Sequence, residues 1–245
     1  MNHKIFLLLF LIACPSWAAI NFDGVDDHVG IASMPIASTT KLTCSFWFKT
    51  TQNVATAFNL IDFRDTTVGV TSGFEVYLFS GFTSTLLNHT IGIDSLWLVA
   101  DGVWHCMVFT QDQTLGSNNF KCYIDNVLMA QKTYTSVLAG SVLSPQFACR
   151  FSTTAFFAGM LEDIRYYNRV LDLNETESLF RSRMRLNITD GLVGWWPLDE
   201  GNDAANASGA TVLDRCNAPH NGLAAGGAGI TWRASEFVNY VPGDD

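Results

Sequence analysis

The chain has 245 residues, with 14 basic against 23 acidic side chains and a net charge of −9. That balance argues against nucleic acid and anionic membrane as partners, because neither would be attracted electrostatically. The length is ample for one large all-β core, and beyond the N-terminal run no apolar stretch is long enough to span a bilayer as a helix.

Residues 1–18 read as a secretory signal. Lys4 lies in a short basic start, Ile5 to Ala13 form an apolar run, and Ser16-Trp17-Ala18 give a small-residue exit with cleavage expected after Ala18. Leu11-Ile12-Ala13-Cys14 also fits a lipidation box. An anchor at Cys14 is the less favoured alternative, since it would leave almost no tether before the first strand. Export would place the protein in an oxidising compartment, secreted or at a cell surface. The remaining cysteines, Cys44, Cys106, Cys122, Cys149 and Cys216, are odd in number, so at least one stays a thiol or pairs with another chain. No C-x-x-C pair or Cys/His cluster predicts zinc. Sequons at Asn88, Asn174, Asn187 and Asn206 matter only in a host that glycosylates.

From Ile20 to Tyr167 short runs alternate apolar and polar residues between Gly, Asn, Asp or Ser, the period of half-buried strands. Strands are predicted at 27–32, 42–49, 58–63, 73–79, 104–111, 120–124 and 156–167. One helix is predicted over 174–185, capped by Asp172 or Asn174, with Leu179, Phe180 and Met184 on one face and acids ahead of arginines as the helix dipole favours. A strand pattern resumes at 192–198. The Ala-, Gly- and Asn-rich remainder keeps Trp232 and reads as folded against the same core. Many short strands and one helix predict an all-β sandwich or jelly roll.

Asp23, Asp26 and Asp27 surround Gly24 in a predicted tight turn. Carboxylates so placed either accept local backbone hydrogen bonds, the favoured reading, or bind calcium with backbone oxygens. No motif demands any other cofactor. Asp62 and Asp65 are a weaker candidate pair. Glu162 and Asp163 are adjacent, so on a regular strand they point to opposite faces and cannot work as an acid/base pair. Trp47, Trp104, Trp195 and Trp196 fall on alternating strands and read as core. Trp97 and Tyr134 sit nearer loops and are the candidate ligand-binding residues. His28 and His105, on strands, read as structural.

Five strings occur in order: Phe22-Asp23-Gly24-Val25-Asp26-Asp27-His28-Val29; Leu42 to Lys49; Trp104-His105-Cys106; Tyr123-Ile124-Asp125-Asn126; and Phe157-Ala158-Gly159-Met160-Leu161-Glu162-Asp163-Ile164-Arg165-Tyr166-Tyr167-Asn168-Arg169. Together they resemble the laminin-G-like jelly rolls of the concanavalin A-like lectin/glucanase superfamily. The resemblance implies a jelly-roll sandwich of two antiparallel sheets with one short helix in the C-terminal half. It implies a single domain over 19–245. Leu192 to Gly201 resembles the strand that normally opens this module, so 191–245 supplies a permuted opening strand or begins a truncated second module. The glucanase pattern Glu-x-Asp-x-x-Glu is absent, so an enzyme is not expected and a glycoside hydrolase is the weakest alternative. Cys44 and Cys106 lie where pentraxins of this fold carry their intrachain bridge, which implies a disulfide between them and leaves Cys122, Cys149 and Cys216 unassigned. The pentraxin calcium loop has no counterpart, since Arg150 to Phe157 contains no acid. The implied function is a secreted, non-catalytic lectin-like module that binds an extracellular glycan or glycoprotein. The alternative is a structural or assembly protein of a cell or virion surface.

Overall fold

The computed structural model describes residues 18–65, 72–89, 91–95, 97–139, 142–151, 154–182, 188–216 and 219–234. The predicted signal before Ala18, Met184 and Arg185 of the predicted helix, and Asn187 lie outside them. The strands run β1 (Ala18–Asp23), β2 (His28–Ile31), β3 (Met34–Pro35), β4 (Lys41–Lys49), β5 (Phe58–Phe63) and β6 (Phe74–Phe79). Then come β7 (Phe82–Leu87), β8 (Ile91–Asp94), β9 (Trp104–Asp112), β10 (Phe120–Ile124), β11 (Val127–Lys132), β12 (Val142–Leu143), β13 (Gln146–Phe147) and β14 (Ala158–Tyr167). Helix α1 (Leu173–Ser182) precedes β15 (Leu192–Trp196), β16 (Thr211–Val212), β17 (Gly222–Ala225) and β18 (Thr231–Ala234).

Two large antiparallel sheets face each other. The first has the order β11-β10-β9-β4-β14-β1-β18, with β15 also paired to β14, and the second β16-β17-β2-β13-β5-β6-β7-β8. Alternation builds the core between them. Leu42, Cys44, Phe46 and Phe48 of β4 point inward, as do Met107 and Phe109 of β9. The inner faces meet in an aromatic stack: Phe63 lies on Phe74 at 4.7 Å, and Trp196 sets its edge against Phe63 and Phe147 at 6.0 and 5.4 Å. Such pairs contribute about 0.5–1.5 kcal/mol each beyond the area they bury.

β4 and β9 are buried on both faces because α1 covers the outer one. Trp47, Cys106, Val108 and Tyr123 form a second cluster there, and Phe180 of α1 stacks on Trp47 at 5.7 Å. The helix starts where its sequence dictates: Asp172 Oδ1 accepts from the Glu175 amide and Glu175 Oε2 from the Asp172 amide, both at 2.9 Å, a reciprocal capping box.

The C-terminal segment enters both sheets. β1 and β15 share one side of β14: β1 pairs residues 158–161, and β15 pairs residues 164–167. Where they meet, the Asp163 amide donates to the Pro197 carbonyl at 3.1 Å. β18 lies on the other side of β1, and β17 pairs with β2 in the second sheet. Trp196 and Trp232 are buried in the common core. A cleavage after Ala18 would trim one residue from β1.

Candidate functional site

The registers bring several connections among the described residues to one end of the sandwich. They include 24–27 between β1 and β2, 50–57 after β4, the β6–β7 turn, 97–103 before β9, the 125–126 turn between β10 and β11, 154–157 before β14, and 226–230 between β17 and β18. Loop clusters at the end of a rigid sandwich are where such folds carry binding surfaces.

Part of this end is aromatic. Ser80 and Gly81 both have positive φ, 50° and 77°, so a two-residue type I′ turn joins β6 to β7 and sets Phe79 opposite Phe82. Three contacts fix the neighbouring loops to this turn: the Ser80 amide donates to the Val54 carbonyl at 3.0 Å, the Val99 amide to Gly81 at 2.9 Å, and the Thr83 amide to Ser95 Oγ at 3.0 Å. A Cβ on Gly81 would come within 2.4 Å of Leu98. Trp97 is 46% exposed, and Phe79, Phe82, Leu98 and Val54 are exposed with it. A patch of large apolar groups on loops held by backbone hydrogen bonds is a docking surface more than a packing defect. On the outer face of the first sheet, Asn21, Lys49, Trp104, Met160, Asp203 and Arg233 line a hollow of about 280 Å³. Trp104, Lys49, Met160 and Asn21 form one cross-strand row there.

The other part is acidic. Gly24 has φ +81°, and a Cβ there would meet Ala158 at 2.8 Å, so the turn needs glycine. It gathers Asp23, Asp26 and Asp27 with a carboxylate oxygen of each within 4.8 Å of the others. Each accepts one backbone amide: Asp23 Oδ1 from Val25 at 2.8 Å, Asp26 Oδ1 from Gly227 at 3.2 Å, and Asp27 Oδ2 from Asp23 at 2.8 Å. Asp27 is fully buried. That burial, with the adjoining carboxylates of Asp23 and Asp26, pushes its pKa up to about 6 although the Asp23 amide opposes the shift.

Several expectations are corrected. Cys44 and Cys106 do not bridge. Cys44 pairs with Phe109 and points into the core, whereas Cys106 pairs with Trp47 and points to the outer face, so the two side chains lie on opposite sides of one sheet. Tyr134 is 1% exposed. Its hydroxyl accepts from Asn88 Nδ2 at 2.6 Å and its amide donates to Asn119 Oδ1 at 2.7 Å, which leaves no ring face for a ligand. The same contacts bury Asn88, the first sequon. Asp62 is no metal ligand, because Arg64 grips it with Nε and Nη2 at 2.6 and 2.5 Å. Asp65 instead receives the Val142 amide at 3.3 Å. Glu162 and Asp163 do not take opposite faces. A bulge after Glu162 leaves both between the inward-facing Leu161 and Ile164, and both are buried. Asp163 Oδ1 accepts from Arg165 Nε at 2.8 Å and Trp195 Nε1 at 2.7 Å, so Trp195 is an outer-face residue and not core. Trp104 is likewise half-buried on the outer face.

Phe79 and Phe82 were not among the expected ligand residues. The signal was present in Phe79-Ser80-Gly81-Phe82, a hairpin turn with an aromatic on each side. His105 is structural: it sits between Asp125 (Nδ1 to Oδ2, 2.7 Å) and Asp101 (Nε2 to Oδ1, 3.2 Å).

Fold and site together define a jelly-roll sandwich with a loop-end surface, the architecture of lectin-like domains. Residues 23–176 match the Laminin_G_3 family model of the concanavalin A-like lectin/glucanases superfamily, and the chain belongs to that family. Among solved structures it resembles a candidate carbohydrate-binding protein from Bacteroides ovatus. The TM-score is 0.67 at 12% identity, over 91% of this chain and 61% of that one. It also resembles the heptameric SAP-like pentraxin of Limulus polyphemus, with TM-score 0.51 and 11% identity over 73% of this chain and 91% of that one. At such identities the likeness is one of fold. A comparison with curated proteins returns no match.

Proposed function

We propose that this protein is an exported, non-catalytic glycan-binding module whose loop-end aromatic patch docks an extracellular glycan or glycoprotein. The single observation that carries the reading is Trp97, 46% exposed on a loop tied by hydrogen bonds to the Phe79–Phe82 turn. An indole held in place offers its face to the C–H face of a pyranose, and nearby polar groups supply orientation. Family membership and the fold shared with a candidate carbohydrate-binding protein support it. The acidic pairs that sequence singled out are buried or held by arginine, which supports binding over hydrolysis. No helix among the described residues is long and apolar enough to cross a membrane. Affinity per site is weak and is raised by multivalent display.

The test is binding of the purified protein across a broad glycan panel. Trp97→Ala should weaken the best ligand about tenfold or more, a loss near 1.4 kcal/mol, without moving the melting temperature. Silence across the panel, or released sugar products, would overturn the reading. One observation favours surface assembly as a second reading: β11 is an edge strand with Val127 and Leu128 exposed, a template for pairing with another chain. Self-association lost on a Leu128→Lys change would support it.

A further inference from the structure

The hollow on the outer face of the first sheet is built by two parts of the chain. Its floor is the row Trp104, Lys49, Met160 and Asn21, paired residue by residue across β9, β4, β14 and β1. Neighbouring strands lie about 4.8 Å apart, so the row crosses about 14 Å from β9 to β1. On one side the floor is closed: Trp47 and Glu162, the next pair along β4 and β14, are buried, and Phe180 of α1 stacks on Trp47. Trp104 packs against that closed cluster and is itself half-buried, so its ring is held while part of its surface lines the hollow.

The other wall comes from the C-terminal segment. Arg233 and Ala234 of β18 line it, together with Asp203 from the loop that runs along the side of β18 away from β1. Three hydrogen bonds fix that loop: the Ala204 amide donates to the Trp232 carbonyl, the Trp232 amide to the Ala205 carbonyl, and the Ala234 amide to Asp203 Oδ1, each at 2.9 Å. A Cβ on Gly201 would come within 2.1 Å of the Trp232 ring, so the loop passes this close because the position is glycine. The lining is therefore held on both sides before any ligand arrives.

In a chain with a net charge of −9, this hollow brings an ammonium and a guanidinium together. They suit an anion, and a guanidinium takes a carboxylate through two parallel hydrogen bonds. A bare inorganic anion would leave the indole unused and would be repelled by Asp203. A sugar acid uses the whole lining: its carboxylate meets Lys49 and Arg233, its ring C–H groups lie on Trp104 and Met160, and its hydroxyls donate to Asp203 and the Asn21 carboxamide oxygen. The volume of about 280 Å³ is at the lower end of small-ligand sites, about 300–1,000 Å³, which suits one ring and not a long chain. We propose that the hollow binds one hexuronate residue, a pyranose ring carrying a carboxylate, of an acidic glycan. The site is apart from the loop-end patch and does not use Trp97.

The experiment is an NMR titration of the isotope-labelled protein with methyl β-glucuronide and methyl β-galacturonide. The matching neutral glucoside and galactoside supply the ring without the charge, and sodium acetate the charge without the ring. The expected result is saturable binding of at least one uronide that shifts the Trp104 indole N–H signal, with the neutral glycosides and acetate about tenfold weaker or more. Arg233→Met, on an exposed side chain that leaves folding intact, and Lys49→Met should each weaken the uronide about tenfold. Trp97→Ala should leave uronide binding unchanged, which keeps this site distinct from the loop-end patch. No shift of Trp104 with either uronide, a neutral glycoside or acetate bound as tightly, an Arg233→Met protein of unchanged affinity, or uronide binding lost with Trp97→Ala would each overturn the proposal.

Discussion

The chain buries carboxylates in two ways. On the second sheet Asp62 and Glu75 are opposite neighbours on β5 and β6, 2% exposed each, and the protein supplies their counter-charges. Arg64 bonds Asp62 twice and reaches Glu75 at 3.3 Å, His89 Nδ1 and Asn59 Nδ2 meet Glu75 at 2.8 and 2.7 Å, and Arg64 lies 4.2 Å over the Phe151 ring. At the 24–27 turn three carboxylates crowd together with backbone amides alone. The difference teaches that the acidic turn is not a place where the fold merely tolerates charge. The same protein sets arginine against buried carboxylates where it buries them deep in the sheet.

The largest expected effect comes from dismantling the arginine-centred network. Arg64→Met leaves Asp62 and Glu75 buried without their guanidinium and should cost about 3–5 kcal/mol in urea denaturation, with the slope of the transition unchanged. Next comes the enclosure of the acidic turn. Gly229→Ala drives a methyl into Asp23 and should cost about 1–3 kcal/mol, read in the same urea denaturation. The sharpest contrast is one of sign: Asp27→Asn should stabilise by about 1 kcal/mol at neutral pH, since it removes a buried charge beside two others and keeps an acceptor for the Asp23 amide. A destabilised Asp27→Asn protein would erase the distinction between the two regions.

The smallest effect concerns His105, a third, paired arrangement. Burial works to depress its pKa, but its bonds to Asp125 and Asp101 outweigh this and hold it above the usual value. A raised folded-state pKa means that the stabilisation is complete below about pH 6.5, the unfolded value, and fades as pH rises through the folded one. His105→Asn should flatten that part of the stability–pH curve, read as melting temperatures across pH 5 to 9.

Much of this was legible in the residues. Alternation in Leu42-Thr43-Cys44-Ser45-Phe46-Trp47-Phe48 marks β4 plainly, and Asp172-Leu173-Asn174-Glu175 marks the start of α1. What alternation cannot tell is whether the second face is covered; Phe180 does that from 133 residues beyond Trp47 in the chain, so Cys106 and Val108 are buried on the side expected to be open. The face of each cysteine follows from counting along its strand, but the β4–β9 register does not, and the register is what sets Cys44 and Cys106 apart. Tyr134 sits in a polar stretch that looks like a loop, yet Asn88 and Asn119 draw it inward from 46 and 15 residues away. Asp23, Asp26 and Asp27 were visible as a cluster; Gly227, whose amide reaches Asp26 across 201 positions, was not. β1 escaped because its first residues coincide with the expected cleavage point, and the bulge at Glu162 left no mark in composition.

β1 is held between β14 on one side and β18 on the other, and Ala18 faces Ala234 across the second of these ladders. During synthesis the first strand therefore emerges more than 200 residues ahead of its last partner, a delay of about 10–40 s at ordinary translation rates. Until then its outer backbone groups, and the inner surface that Trp196 and Trp232 later cover, are open to water and to other chains. Pairings this distant form late and slowly, so the nascent protein passes through a long-lived, sticky stage. Its yield in any host will depend on what shields that unfinished edge, such as a chaperone or a slow export route, more than on the stability of the finished sandwich.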